Sequence, residues 1–402
     1  MKVFVFDLLA YGAHFDQYKA DRYLPYPLSG KHFDPEVAAR TYEEHLEIWR
    51  EMDRLGYDGV GLNEHHTTPH GLMNSPNMMA AVGAQHTRKL KFLQLGNLTP
   101  LNNPLRVAEE IAMADCMSRG RVIAGFARGI AREYGVYGIP MQESRARYEE
   151  AYEIITRAWT EEVFSFDGKF WSYKDIAIWP RPYQRPHPPV WIPFTGSKET
   201  IEFAARHDLP AVMVQTAPGL MEDIVGYYAK SLAGHGHRIT PDHLCLFTDA
   251  YVADSRAAAV EEYKDSYLYF TQMLWHHGSI SAEGTHREEG PGYVASSSYD
   301  YVRPENRPFA RMDRGKIRNM TIADVAGRID SGQLAWGPAD EVAERLIAAG
   351  EQTGCDSLLL NMNLGAMPHA QFLAQIRRFG TEVLPKLQAH RVRTVKAAAA
   401  VA

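Results

Sequence analysis

The strongest constraint on the fold is a regular alternation of short β-prone runs with longer stretches whose apolar residues recur at helical spacing. In the stretch from Pro35 to Leu55, for example, Tyr42, Leu46 and Trp49 fall on one helical face. Eight runs have the composition of buried strands, namely Val3–Leu9, Gly59–Leu62, Leu90–Leu95, Arg121–Phe126, Pro189–Phe194, Ala211–Gln215, Leu244–Val252 and Ser357–Asn361. Eight strand and helix units in series predict a parallel (β/α)8 TIM barrel rather than an open sheet.

The length of the chain, 402 residues, suits one large barrel domain with rim insertions. We expect this domain to span residues 1–390, because no linker-like composition divides the units. Residues 271–332, rich in Gly, Ser, Tyr, His and Arg, are too many for a simple connection before the last strand. We interpret them as a rim insertion that acts as a lid, with a family-specific decoration as the alternative. Residues 391–402 end in an alanine-rich run and are expected to form a flexible tail.

Composition argues against several classes of function. Hydrophobic residues make up 45% and charged residues 23% of the chain, which describes a globular protein with a large core. A net charge of -6 without a Lys/Arg block gives no electrostatic basis for binding nucleic acid. The three cysteines, Cys116, Cys245 and Cys355, are isolated and lack metal-ligand spacing, which fits a reducing compartment. With no signal peptide and no apolar run of membrane-spanning length, we predict a cytoplasmic protein.

Glu64, His65 and His66 directly follow the second predicted strand and precede a turn-rich segment. Side chains at the carboxyl ends of barrel strands are held rigidly and still meet a ligand, and imidazole titrates near neutrality. We therefore interpret all three as candidate catalytic residues, and the alternative is a cluster that only satisfies backbone groups. A metal site is disfavoured, because adjacent strand residues point to opposite faces and the two histidines cannot easily share one ion.

Two further strand ends carry candidate phosphate-binding groups. Strand four ends at Arg128 between two glycines, and strand five ends in Thr195, Gly196 and Ser197, where a helix begins. Helix N-terminal N–H groups, hydroxyls and an arginine on the adjacent strand together suit a bound phosphate. The alternatives are an arginine paired with a carboxylate and an ordinary helix N-cap. Strand three runs into Gly96, where a glycine lets a flat ligand approach the backbone closely.

Further short motifs accompany these strand ends in a fixed order. They are Asn74-Ser75-Pro76, Asn103 to Glu110, Asp115 to Arg121, Gly125 to Gly129, Val190 to Ser197 and Ala204 to Pro210. Together with Glu64-His65-His66, the set resembles the bacterial luciferase-like monooxygenase superfamily, and more narrowly its flavin-dependent alkanal monooxygenase branch. The α subunit of bacterial luciferase has Glu-His-His at the same strand end. The resemblance covers roughly residues 1 to 260 and 336 to 388 in order, so chance is a poor explanation.

The resemblance implies a TIM barrel that binds reduced FMN (FMNH2), which a separate flavin reductase supplies. In such enzymes the reduced flavin and O2 form a C4a-hydroperoxide, which oxygenates a small organic substrate. Matched by motif, His65 would be the imidazole near the flavin that transfers a proton or protects the peroxide. Arg128 would bind the flavin phosphate, with Thr195, Gly196 and Ser197 as its partners.

The resemblance also assigns Leu95, Gly96 and Asn97 to an unusual backbone turn that supports the isoalloxazine ring of the flavin. Relatives pair through the helices that follow the early strands. We therefore expect a homodimer, with the flavin reductase as a transient partner and O2 and a small molecule as co-substrates.

The chain departs from the luciferase branch at three positions. Ala127 stands where that branch has a reactive cysteine, Thr195 where it has an acidic residue, and Gln215 where it has a tryptophan. The expectation of flavin monooxygenation does not depend on these positions, whereas that of an aldehyde substrate does. We interpret Gln215, Trp275 and His276 as candidate substrate contacts and expect a secondary metabolite as the substrate.

Three other functions compete with a flavin monooxygenase. The first is an F420-dependent oxidoreductase of the same fold, which transfers hydride without O2. The second is a non-catalytic barrel subunit of a heterodimer, although the presence of both His65 and Arg128 argues against it. The third and weakest is metal-dependent hydrolysis at the Glu-His-His cluster.

Overall fold

Eight parallel strands close into a barrel in the computed structural model of the chain. The structure describes residues 1–19, 24–25, 27–194, 196–214, 219–274, 319–365 and 367–396. Its strands are β1 (Lys2–Asp7), β2 (Gly59–Leu62), β3 (Lys91–Gln94), β4 (Asn97–Leu98), β5 (Val122–Ala127), β6 (Phe164–Asp167), β7 (Ser172–Ile176), β8 (Val190–Phe194), β9 (Ala211–Val214), β10 (Leu244–Val252), β11 (Leu334–Gly337) and β12 (Ser357–Asn361). The barrel runs β1-β2-β3-β5-β8-β9-β10-β12 and closes on β1. The prediction of a (β/α)8 TIM barrel is confirmed.

Helices pack around the barrel. They are α1 (Pro35–Leu55), α2 (Pro76–His86), α3 (Pro104–Ser118), α4 (Ala131–Tyr137), α5 (Ser144–Thr160), α6 (Lys198–Arg206), α7 (Leu220–Gly234), α8 (Arg256–Tyr269), α9 (Ile322–Asp330), α10 (Ala339–Thr353), α11 (His369–Glu382) and α12 (Leu384–Ala389). Local signals set their ends, as in α1, where Asp34 Oδ1 accepts the Glu36 N–H at 2.9 Å and Gly56 ends the helix at φ +87°. Such an N-cap stabilises a helix by about 1 kcal/mol.

The barrel interior is apolar at its centre and opens at the carboxyl ends of the strands. Side chains alternate across each strand, so that every second residue points inwards. The inner cluster consists of Phe4, Leu93, Leu95, Ile123, Trp191, Val212, Cys245 and Leu359, with Phe6 and Phe247 packed above it. This closed floor confines any ligand site to the mouth formed by the carboxyl ends of the barrel strands, as in other TIM barrels.

The connection between β10 and β12 contains more regular structure than the sequence analysis predicted. Within the predicted insertion 271–332 the described residues form α9, and β11 and α10 follow it. The sequence analysis missed β11 and α10, although Val342, Ala343 and Leu346 of α10 are buried at helical spacing. α10 packs on β10 beside α7, so it takes the seventh outer position that was predicted for α8. Whether the insertion is a lid stays a prediction, because residues 275–318 lie outside the described residues.

The end of the chain also differs from the prediction. The helix predicted from Gln371 to Gln388 is divided into α11 and α12, because Pro385 in the first turn of α12 has no N–H to continue the helical hydrogen bonds. Val392 is buried and its N–H donates to Asp356 Oδ1 at 2.9 Å. Residues 391–396 therefore pack against the barrel, although the sequence analysis assigned them to a flexible tail.

The described residues contain no helix that is both long and apolar enough to cross a membrane. The three cysteines are free thiols, and Cys245 and Cys355 are buried. Burial raises the pKa of the Cys355 thiol to about 12 and that of Cys245 well above its usual range. Both thiols are therefore protonated at neutral pH and serve as apolar packing groups.

Candidate active site

His65 lies on the inner face of the barrel mouth, where β2 ends. Its Nδ1 is 3.1 Å from Oε1 of Glu133, in the first turn of α4. The ring of His70 packs against the ring of His65 with a centroid distance of 4.5 Å. Because the His65 side chain is 19% exposed and the Glu133 side chain is 0% exposed, the pair is sealed at the carboxylate and accessible at the imidazole.

The environment of Glu133 keeps its carboxylate ionised. Burial alone would raise its pKa, but the hydrogen bond and charge of His65, the N–H of Ile130 and the nearby Arg132 together lower it. The Ile130 N–H donates to Glu133 Oε2 at 2.8 Å, at the start of α4. An ionised carboxylate accepts the Nδ1 proton of His65, which makes Nε2 the ring atom that can exchange a proton with a ligand.

Glu64 and His66 lie behind the mouth and hold the segment that follows β3. Glu64 Oε2 accepts the N–H of Leu98 at 2.8 Å, and Oε1 accepts from Asn102 Nδ2 at 3.0 Å. His66 Nε2 lies 2.9 Å from Glu64 Oε1, and its Nδ1 lies 3.0 Å from the Tyr137 hydroxyl on α4. The three predicted catalytic residues thus divide into one at the mouth and two that support the backbone around it.

Leu95, Gly96 and Asn97 form a buried turn between β3 and β4 at the rim of the mouth. Gly96 has φ +141°, and a Cβ at this position would lie 3.1 Å from the Glu64 nitrogen. Asn97 Nδ2 donates to the Gly125 oxygen at 3.3 Å, which fastens the turn to β5. The absence of a side chain at Gly96 therefore lets the end of β2 pack closely against this turn.

Arg128 and the first turn of α6 form a second polar group, which we call the anion corner. Arg128 Nη2 lies 3.4 Å from Ser197 Oγ, and Nη1 lies 3.3 Å from Glu199 Oε2. Gly196 has φ +95°, and the Ser197 side chain makes no capping bond to the helix. The first N–H groups of α6 and its dipole therefore face this corner, as anion binding requires.

Arg145, in the first turn of α5, adds a second guanidinium to the anion corner. Its Nη2 donates to Thr200 Oγ1 at 2.9 Å, and its Nε lies 3.4 Å from Glu199 Oε2. Its Nη1 is buried and has no partner within the described residues. Burial and the charge of Arg128 lower the pKa of Arg145 to about 10. Two guanidiniums around one half-exposed carboxylate leave the corner positively charged and suited to a phosphate.

α4 connects the His65–Glu133 pair with the anion corner. The Tyr134 hydroxyl donates to the backbone oxygen of Arg128, and Tyr134 directly follows Glu133. The structure thus brings together seven of the predicted site residues around one mouth: His65, Leu95, Gly96, Asn97, Arg128, Gly196 and Ser197. Thr195, Gln215, Trp275 and His276 lie outside the described residues, and their predicted roles stay predictions.

The sequence analysis missed Glu133 and Arg145. An acidic residue in the first helical turn after the Arg128-Gly129 motif was a usable signal for Glu133, because that turn starts at a barrel mouth. Nothing in the local sequence marks Arg145, which meets α6 only through the packing of α5 against the barrel.

Comparison with known proteins identifies the family. Residues 25–357 match the family model of luciferase-like monooxygenases. The chain belongs to the luciferase-like monooxygenase family. This membership confirms the resemblance inferred from the sequence motifs.

The relatives of this chain include named monooxygenases. This luciferase-like chain is 31% identical to the alkanal monooxygenase alpha chain of Photorhabdus luminescens, over 42% of this chain and 46% of that one. It is 24% identical to the oxygenase component of the flavin-dependent trigonelline monooxygenase of Acinetobacter baylyi, over 89% of this chain and 93% of that protein. An uncharacterized protein of Sinorhizobium fredii is 39% identical over 43% of this chain and 51% of its own length. The chain thus spans about half the length of the first and third of these relatives.

Solved structures share the barrel. Monooxygenase RslO1 from Streptomyces bottropensis superposes with a TM-score of 0.70 at 21% identity, over 96% of this chain and 99% of that one. The oxygenating constituent of 3,6-diketocamphane monooxygenase from Pseudomonas putida, in complex with FMN, superposes with a TM-score of 0.69 at 17% identity, over 96% and 98% of the two chains. An F420-dependent secondary alcohol dehydrogenase superposes at 0.62 and 16% identity, over 96% and 98%. At these identities the likeness concerns the fold alone.

Proposed function

We propose that this chain is the oxygenase component of a two-component monooxygenase, which receives FMNH2 from a flavin reductase and uses O2 to oxygenate a small organic molecule. One observation carries the proposal: the His65–Glu133 pair and the anion corner open into the same barrel mouth. A proton-exchanging imidazole and a phosphate site are the two groups that a flavin monooxygenase needs from its protein. Membership in the luciferase-like monooxygenase family supports the same function.

The anion corner fits the phosphate of FMN. Arg128 and Arg145 would bind its oxygens together with Ser197 and Thr200, and the N–H groups of α6 would complete the site. The buried Nη1 of Arg145, which has no partner in the described part of the chain, is a donor that such an anion would satisfy. Glu199, which now lies between the two guanidiniums, is 45% exposed and can turn towards solvent when a phosphate takes its place.

The turn from Leu95 to Asn97 fits a flat ring system. Gly96 lets the turn pack closely on the end of β2, and its φ of +141° disfavours any other residue. Glu64 fixes this turn through the N–H of Leu98, so we assign Glu64 and His66 a positioning role. A ring on this turn would lie beside His65.

His65 would supply the proton chemistry. The flavin, when bound, supplies the reaction with O2, and the protein orients it, excludes water and controls protonation. Glu133 holds the His65 ring by Nδ1, so that Nε2 points into the mouth as a single proton-exchange atom. Leu95 and Trp191 provide apolar surface below it, which limits the access of water.

We propose that a separate flavin reductase is the transient partner. The flavin would then reach this chain already reduced, so the chemistry above needs no second cofactor site here. The name of the Acinetobacter relative, an oxygenase component, supports this division of labour. We also propose a cytoplasmic location, because Cys116, Cys245 and Cys355 are all free thiols.

We also propose a homodimer that forms through α2 and α3. These helices pack against each other and expose four apolar side chains at intervals of one helical turn, namely Met78 and Val82 on α2 and Met113 and Met117 on α3. Met78 is 68% exposed and Met113 is 50% exposed. A contiguous apolar surface of this kind on neighbouring helices is typical of a subunit interface.

The proposed cofactor is tested by anaerobic calorimetric titration of the protein with FMNH2, reduced riboflavin and reduced F420. We expect FMNH2 to bind most tightly, and Arg128→Gln to weaken FMNH2 binding about tenfold or more because a charge-assisted hydrogen bond is lost. The same substitution should leave the weaker binding of riboflavin unchanged. Tighter binding of F420 than of FMNH2 would instead support the F420-dependent oxidoreductase.

A further inference from the structure

Three polar side chains, Asn63, Asp249 and Asn361, occupy inner-face positions at the barrel mouth, and we call them the polar arc. They belong to the end of β2, to β10 and to β12. In the barrel β10 adjoins β12, and β1 separates β12 from β2. Asp249 and Asn361 are partners in the parallel register of β10 with β12.

The alternation of side chains along a strand indicates that the side chains of the polar arc point into the barrel. Each of its residues stands two positions beyond a residue on the inner face, namely Gly61, Phe247 and Leu359. Gly61 qualifies because a Cβ there would lie 2.7 Å from Leu359, inside the barrel. Asn63 is the first residue beyond β2 and precedes His65 by two positions in the chain.

The polar arc carries hydrogen-bonding atoms that no described residue satisfies. Asn63 is 3% exposed, and neither its Oδ1 nor its Nδ2 has a partner in the described part of the chain. The Oδ1 atoms of Asn361 and Asp249 are also buried and have no hydrogen-bond partner among the described residues. Proteins retain unpaired buried polar atoms mainly where a ligand or an ordered water completes their bonds.

Asp249 lies close to α8 and α9, which pack against each other. Asn361 hydrogen-bonds to its carboxyl group, and Arg328 of α9 attracts it. The hydroxyls of Tyr263 and Tyr267 on α8 are the other titratable groups that face it. Burial raises the pKa of Asp249 to about 7, against the opposing effects of Arg328 and Asn361. Near neutrality its carboxyl group can therefore either donate or accept a hydrogen bond.

Aromatic rings form the floor between the members of the polar arc. Phe6 and Phe247 meet edge to face at a centroid distance of 5.0 Å, and Phe4 meets Trp191 at 5.7 Å. A ligand at this place therefore has rings below it and unpaired polar atoms at its side.

Building on the function proposed above, we propose that the polar arc is the substrate subsite and that the substrate is a small ring compound with both hydrogen-bond donors and acceptors. An amide, a lactam or a phenol has this character. A long-chain aldehyde does not, because its alkyl chain would leave the amide of Asn63 and the Oδ1 of Asn361 buried without the partners that they lack among the described residues. A site built to hydrogen-bond its substrate rejects such an analogue strongly.

Thermal unfolding of the ligand-free protein tests whether the arc serves a ligand. We expect Asn63→Leu to keep or raise the Tm, since it replaces polar atoms that have no partner among the described residues by an apolar group of similar volume. Gln375→Leu is the matched control, because this buried amide is paired with the Val252 backbone at 3.0 Å and 2.8 Å. The control should lower the Tm. A decrease for Asn63→Leu as large as that of the control would overturn the proposal.

Probe binding to the FMN-loaded protein tests the substrate class. Benzamide and toluene share a ring, but only benzamide has donors and an acceptor, and decanal represents the alkyl aldehydes. We expect the wild type to bind benzamide more tightly than toluene or decanal by about tenfold or more, and the Asn63→Leu/Asn361→Leu variant to lose that preference. Equal or tighter binding of decanal to the wild type, or an unchanged preference in the variant, would overturn the proposal.

The two proposals fail in different ways. If the wild type does not bind FMNH2 in the calorimetric titration, the proposed function is wrong. If it binds FMNH2 but the Tm and probe results contradict the expectations above, only the assignment of the polar arc is wrong.

Discussion

His65 Nδ1 lies 3.1 Å from Glu133 Oε1, although the two residues are 68 positions apart in the chain. The contact forms because β2 and β5 end at the same barrel mouth and α4 starts immediately after β5. A fully buried carboxylate paired with a partly exposed imidazole fixes both the ring orientation and the atom that carries the exchangeable proton.

Glu133→Gln should preserve the shape of this pair and remove its charge. A neutral amide can hydrogen-bond to either tautomer of His65, so the preference for a proton on Nδ1 is lost. We expect the proton-transfer step that depends on His65 to slow by about tenfold or more. The measurement is the pH dependence of flavin reoxidation by the protein with bound FMNH2, compared with Glu143→Gln, a carboxylate that pairs with Arg147 outside the mouth. Identical pH profiles for wild type and Glu133→Gln would contradict the role given to Glu133.

Arg145→Gln should discriminate between flavins with and without a phosphate. Arg145 has an unpartnered buried Nη1 among the described residues, so a bound phosphate gains a charge-assisted hydrogen bond there. We expect FMN to bind about tenfold or more weakly to the variant, with riboflavin binding unchanged, measured by quenching of flavin fluorescence. Arg147→Gln, on the same helix but paired with Glu143, is the control and should bind FMN as the wild type does. Equal losses for FMN and riboflavin would exclude a phosphate contact.

Much of the fold could be predicted because barrel strands are short apolar runs with sharp ends. β2 and β10 were predicted to the residue, since Gly59 and Leu244 begin apolar runs whose ends are marked by polar or turn-forming residues. β11 and α10 were missed because they directly follow the long predicted insertion, which obscured where regular structure resumes. Long-range packing, not local propensity, decides that α10 rather than α8 covers β10.

The candidate site could be predicted only where its residues stand at strand ends. His65, Arg128 and Ser197 meet this condition, and the structure places all three around one mouth. Glu133 and Arg145 lie on helices, and their directions depend on how α4 and α5 pack, which no local pattern encodes. The orientation of Glu64 away from the mouth follows from its bond to Leu98, a contact between two strands that sequence spacing does not reveal.

The buried carboxyl group of Asp249 should make stability depend on pH. Burial raises its pKa to about 7 in the folded state, above the value of about 3.9 in an unfolded chain. Its contribution to stability is therefore complete below about pH 4 and is lost as the pH rises through about 7. Asp249→Asn removes this loss, so the variant should gain free energy of unfolding relative to the wild type between about pH 5 and about pH 8, by up to a few kcal/mol. Urea unfolding at the two pH values measures the difference, and a gain that does not grow with pH would contradict the raised pKa.

The exposed methionines of α2 and α3 predict the subunit interface. Met113→Glu should place a charge in the apolar contact and shift the protein from dimer to monomer, because burying an unpaired carboxylate is strongly unfavourable. Light scattering after size-exclusion chromatography measures the mass. Val163→Glu is the control, since Val163 is 59% exposed but lies outside these helices, and its mass should match that of the wild type. A monomeric wild type, or a dimeric Met113→Glu protein, would disprove this interface.

The most direct test of an FMNH2-dependent monooxygenase is stopped-flow mixing of the anaerobic protein with bound FMNH2 against O2, followed by the absorbance of oxidised flavin. We predict that FMNH2 bound to the wild type is reoxidised in a fast and a slow phase, unlike free FMNH2. In His65→Ala the slow phase should be faster than in the wild type. Reoxidation in the presence of wild-type protein that is indistinguishable from that of FMNH2 in buffer would contradict the proposed function.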